Sequence, residues 1–175
     1  GAWTYLDATV ASGVSTVDFF GLATGTYDVF ACWFSGVWPS TDADIIFRMQ
    51  EAGGPSVDSG SVYYGFVVGG NNNSATPLGS NWGGATSAKI NTPTVSGAVG
   101  GTCDGVMYVS QMHRTSVRPS YWGHAKVTGN DTSMGTMSFG GSSSNADSDG
   151  FSGFQFLSSS GNINGTFRLY GLNKS

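Results

Sequence analysis

The chain predicts an all-β fold, an antiparallel two-sheet sandwich of the jelly-roll kind, and three observations carry that expectation. Polarity comes from Ser, Thr, Asn and 28 glycines among 175 residues, with one glutamate (Glu51) and three lysines. A helical chain would instead draw on Glu, Lys, Leu and Ala. Apolar residues alternate with polar ones in short runs split by Gly, Pro and Asn, which reads as about eight to ten strands. No stretch keeps a helical period over a useful length. One domain with its own core, spanning 1–175, is expected at this size.

Taken in order, Trp3–Leu6 is a short first strand with aromatics on alternate positions, broken at Ser12-Gly13. Thr16–Phe20 is the second. Tyr27–Phe34 is the third, with Tyr27, Val29, Ala31 and Trp33 on one face and Phe30, Cys32 and Phe34 on the other. A strand apolar on both faces is either central in two packed layers or buried at a subunit contact. Asp44–Met49 points Ile45, Phe47 and Met49 inward, and Asp44 and Arg48 outward. Val62–Val68 follows, then a polar loop over 69–74.

Residues 75–101 are weakly patterned and read as a long loop, with a short strand at Ser87–Asn91. Gly105–His113 is a strand whose hairpin partner is Tyr121–Val127, and Thr136–Phe139 is short. Residues 140–150 form a Ser/Gly/Asp loop. The chain then closes on an expected hairpin, with Gly161-Asn162 as a two-residue turn. In that register Phe156 faces Phe167 and Phe154 faces Leu169, all on one core face, while Gln155 faces Arg168.

A net charge of −4 and a pI near 4.7 argue against a nucleic-acid partner, which needs clustered cations. No apolar run approaches the ~20 residues a membrane helix needs, so no membrane insertion is expected. The opening residues lack the charged start and apolar core of a signal peptide. Cys32 and Cys103 could form one disulfide but make no framework, and Cys32, in an apolar strand, reads as a small core residue.

Candidate sites are few. Asn145, Asp147 and Asp149, followed by Gly150, match the first half of a calcium loop, but Phe156 stands where the closing acid is needed. A plain polar turn is the competing reading, and no cofactor is otherwise expected. His113 and His124 have no thiolate partner and no helical spacing for zinc. Asp42 and Asp44 are near neighbours, yet nothing marks either as the acid of a glycosidase pair. No Gly-x-Ser-x-Gly elbow and no phosphate loop is present. The expectation is therefore no catalytic residues and no enzyme. Binding-surface candidates are the aromatics at strand ends and loops, Trp38, Trp82, Tyr121 and Trp122, which suit sugar stacking or protein anchoring; the competing reading, and for most of them the commoner one, is that they cover the open ends of the core. Arg114 and Arg118 belong to a local basic group with His113, His124 and Lys126.

The ends of the chain carry a resemblance. Trp3–Leu6, Val17–Phe19 and Tyr27–Phe30 are similar to the opening of a β-sandwich domain common in tailed-bacteriophage virion proteins, and Ser160–Leu172 resembles its close. The resemblance implies a virion component, either a capsid decoration protein, a head fibre or a receptor-binding tail-fibre tip, and no catalytic residues. The expected function is a non-enzymatic structural protein at the virion surface, assembled in the host cytoplasm as a homo-oligomer such as a trimer. Its partners would be coat protein, through a strand face or the basic 113–126 region, or fibre subunits, with host-surface glycan contacted through loops 69–86 and 140–150. The alternative is a secreted carbohydrate-binding module.

Overall fold

The structure is a computed structural model and describes residues 1–22, 24–52, 56–72, 74–92, 94–97, 100–129, 134–144 and 150–174. All its regular elements are strands: β1 (Trp3–Val14), β2 (Thr16–Phe19), β3 (Tyr27–Pro39), β4 (Ile45–Glu51), β5 (Tyr63–Asn71) and β6 (Ser74–Ala85). The rest are β7 (Ala88–Lys89), β8 (Cys103–Ser110), β9 (Ser120–Thr128), β10 (Met134–Ser143), β11 (Phe151–Ser158) and β12 (Ile163–Asn173). They form an eight-stranded sheet in the order β1-β12-β3-β8-β9-β10-β5-β6 and a four-stranded sheet in the order β2-β11-β4-β7. Every pairing is antiparallel.

The partners β1·β12, β2·β11, β3·β8 and β4·β7 are those of one long folded-over ribbon that alternates between the sheets. That is the jelly-roll wrap the strand pattern predicts. The extra strands β9, β10, β5 and β6 widen only the larger sheet.

The core lies between the sheets, and aromatic rings interlock across it. Phe47 of the small sheet meets Tyr121 of the large one at 5.4 Å between ring centroids, and Phe156 meets Phe34 at 6.0 Å and Phe167 at 5.2 Å. Ile45, Phe47 and Met49 are all buried, as their alternation requires. Burial of each such side chain stabilises the fold by roughly 1.5–3 kcal/mol relative to exposure.

Four expectations are corrected here. The closing hairpin does not exist: β11 pairs with β2 and β4, and β12 pairs with β1 and β3, in different sheets. Phe154, Phe156, Phe167 and Leu169 are still a buried patch, but they meet across the sandwich instead of side by side. One ribbon with four apolar residues on one face must cover that face, and crossing to the opposite sheet achieves this. Gly161 does take the expected positive φ, at +75°. The 158–162 bridge is tied down by Asn162 N donating to Ser40 Oγ at 2.8 Å and Ser40 N donating to the Asn162 carbonyl at 2.8 Å. Gln155 donates through Nε2 to Asp18 Oδ1 at 3.0 Å, with Arg168 in the other sheet.

Second, much of the expected 75–101 loop is β6, an edge strand whose ladder needs only backbone and therefore shows no apolar alternation. Pro77 is tolerated there because an edge strand leaves N–H positions unpaired. Third, β1 runs through Ser12-Gly13 as a bulge instead of breaking, with Gly13 at φ +66° and its N–H donating to Asn164 Oδ1 at 2.7 Å. Fourth, a register irregularity at Asp28 turns Tyr27 away from the Val29–Ala31–Trp33 face, and its ring packs edge-on to Phe30 at 5.8 Å.

Candidate functional site

Strand parity decides which side chains the large sheet leaves outside. On β3, Phe30, Cys32 and Phe34 point into the core, so Val29, Ala31 and Trp33 point out. The same alternation puts Trp122, His124 and Lys126 of β9 outside, and Tyr121, Gly123, Ala125 and Val127 inside. β3 is interior in its sheet, and among the described residues no second layer of strands lies over its outer face, where only side chains such as Trp3 shelter Ala31.

The outward residues line up as cross-strand neighbours. One row runs Tyr5, Tyr170, Ala31, Tyr108, Trp122, Gly140 and Phe66 over seven consecutive strands. Beside it lies Ala8, Arg168, Trp33, Val106, His124, Ser138 and Val68. On its other flank lies Trp3, Leu172, Val29, Ser110, Ser120, Ser142 and Tyr64. Tyr5 is 57% exposed, Trp33 54%, Phe66 48% and Trp122 41%.

These rings brace one another. Tyr108 stacks on Trp122 at 5.7 Å with 21° between planes, and Trp3 tilts against Tyr108 at 6.2 Å. Tyr5 meets Tyr170 edge-on at 5.7 Å. Ala31, the small residue between Tyr170 and Tyr108, opens a slot of about 310 Å³ walled by Trp3, Trp33, Tyr108 and Tyr170. His124 Nδ1 lies 3.0 Å from Ser138 Oγ. An aromatic surface of this kind can take up apolar side chains or the C–H faces of sugar rings.

The residues singled out from sequence scatter. Trp122 is in the aromatic row. Trp38 is exposed farther along β3, its carbonyl accepting from Asn164 Nδ2 at 3.3 Å. Trp82, on β6, is half-buried and packs against the core. Tyr121 is corrected: it is 1% exposed, lies on Phe47, and donates its hydroxyl to the Tyr64 carbonyl at 3.2 Å. Adjacent strand residues face opposite ways, so Tyr121 and Trp122 cannot both be surface groups. Burial pushes the Tyr121 phenol well above its ordinary range.

Arg114 and Arg118 are exposed on the β8–β9 connection, while His124 and Lys126 lie on the sheet face. Asn145, Asp147 and Asp149, the calcium candidates, lie outside the described residues. Among the described residues no three His, Cys, Asp or Glu side chains gather as a metal site. Asp42 Oδ1 accepts from Gly97 N at 2.9 Å, and Asp44 Oδ2 pairs with Lys89 Nζ at 2.6 Å, so both carboxylates have structural partners. Cys32 and Cys103 are free, buried thiols raised far above their ordinary range by desolvation. Of the proposed host-contact loops, 69–86 is mostly the β5–β6 hairpin.

Sequence reasoning missed Trp3, Tyr5, Trp33, Phe66, Tyr108 and Tyr170 as surface groups. The signal was present in the doubly apolar 27–34 run. Comparison of the chain with protein-family models, with curated proteins and with solved structures finds no match.

Proposed function

We propose that this chain is a non-enzymatic structural module at the surface of a tailed-phage particle, with the outer aromatic face of its eight-stranded sheet as a protein-contact surface. The single observation that carries the reading is that face, a broad band of half-exposed rings. A wide surface on which rings outnumber charged groups suits contact with protein better than steering of a small charged substrate. The resemblance of 3–30 and 160–172 to virion domains supplies the particle. The decorating version is preferred over the fibre-tip version because the proposed receptor loop 69–86 is largely regular sheet.

Immunogold labelling of particles that carry this gene product tests the reading. Gold at regular positions on the particle surface is the expected result. Particles without label, with the protein recovered free in the medium, would overturn it. A second reading, a secreted carbohydrate-binding module, is favoured by one feature, the aromatic slot over Ala31. It predicts micromolar binding on a glycan array that Trp33→Ala abolishes, and an array without signal removes it.

A further inference from the structure

We infer that the outer face of the eight-stranded sheet is covered by another copy of this chain; this rests on reading that face as a contact surface. Size is the first ground. An aromatic side chain carries about 150–250 Å², so the half-exposed rings of this face together present on the order of 600–700 Å². That exceeds the ~300–600 Å² of the largest apolar patch on a typical monomer. It approaches the ~800 Å² per partner of a standard protein interface.

Chemistry is the second ground. The three rows hold no carboxylate, and besides their tyrosine phenols their ionisable members are Arg168 and His124; the next row along β8 and β9 sets Asp104 opposite Lys126. Depletion of charge at the centre, with Tyr, Trp and Phe enriched, is the composition of a protein contact. Arg168 beside Trp33 also argues against a cationic ligand in the slot.

Self-complementarity is the third ground, and it selects a copy of the same chain over a different partner. The aromatic row has two holes, Ala31 and Gly140, each next to large rings. Place a twofold axis parallel to the strands through Tyr108. Ala31 then receives Trp122 of the other copy, Gly140 receives Tyr170, and Tyr5 meets Phe66. In the adjoining row the same operation sets Trp33 over His124 and Arg168 over Ser138, so no like charges oppose. Two of the four meetings set a ring on a small residue, and Tyr108 on Tyr108 and Tyr5 on Phe66 meet ring to ring, so the row matches its own inverse, as an isologous contact requires.

The test is sedimentation equilibrium of the full chain from 1 to 100 µM, beside Trp33→Glu and Trp122→Glu. The wild type should sediment as an assembly of two or more chains. Each charge, placed at the centre of the contact, should weaken assembly by more than about 30-fold. Both positions are exposed, so the variants should keep the wild-type circular dichroism; if either misfolds, Trp122→Gln replaces it. A wild type that stays a single chain at 100 µM overturns the inference, as does an assembly that the folded variants leave unchanged. Immunogold labelling does not depend on the number of copies, so its failure would sink the particle reading separately.

Discussion

Tyr63 shows how single side chains hold this sandwich. Its ring is buried, its hydroxyl accepts from Met49 N at 2.8 Å and donates to the Asp58 carbonyl at 2.9 Å. One oxygen thereby fastens the segment after β4 to β4 itself. Tyr63→Phe leaves a buried N–H and a carbonyl without that partner, and should cost about 1–3 kcal/mol in urea unfolding with the m-value unchanged. His113 is a second such position. Its Nδ1 is buried without a hydrogen-bond partner among the described residues, and burial, then Lys174 and Arg114, lower its pKa against the opposing pull of Asp28. The folded state therefore binds this proton less readily than the unfolded one. Its contribution is fully present above the ordinary histidine pKa near 6.5 and is lost as pH falls below that value. His113→Gln should flatten that part of the stability profile, which thermal melts across pH 5–8 will measure.

At the scale of the strand, glycine and aromatic rings work as pairs. Phe34 faces Gly105, Phe139 faces Gly123 and Tyr121 faces Gly141 as direct cross-strand partners on the core side. A Cβ at Gly123 would run into the Val106 carbonyl and come within 2.6 Å of Phe139 Cζ. Gly123→Ala should thus destabilise by about 1–3 kcal/mol, lowering Tm by about 2–4 °C per kcal/mol for a domain of this size. Conversely, an unchanged melt would show that the β8 backbone and the Phe139 ring both give way freely. The strands themselves were largely legible from alternation: β2, β3, β4, β5, β8 and β9 fall where the period-2 pattern puts them. Two things were not. Edge strand β6 is stabilised by backbone bonds that side chains do not report. The partner of β11 was hidden because alternation fixes a strand's face but not which strand it lies against. Phe156 and Phe167 had to meet, and both a hairpin and a sandwich allow it.

For the whole molecule, the candidate surface was readable only once the strands had neighbours. Trp33, Tyr108 and Tyr170 are far apart in the chain, and each alone looks like an ordinary strand aromatic. Together they line one slot because β12, β3 and β8 are adjacent. The exposed loops drew attention in the sequence because polar turns are easy to see, whereas a flat face is a property of assembly. The same adjacency predicts the effect of truncation. Removing 159–175 takes out β12, the strand that joins β1 to β3. The remaining chain should be insoluble or fully exchange its amide hydrogens within seconds. A soluble fragment with protected amides would contradict the topology.

The position of the last strands also governs what happens on the ribosome. β11 sits between β2 and β4, and β12 between β1 and β3, so both sheets are stitched by residues translated after all their earlier neighbours. Strands β1 to β4 emerge first and wait unpaired on their inner edges while about a hundred further residues are made, at ~5–20 residues per second. Vectorial folding from the N-terminus is thus closed to this chain. Until β11 and β12 are made, the inner edges of β1 to β4 lack the strands that pair with them in the native sheets.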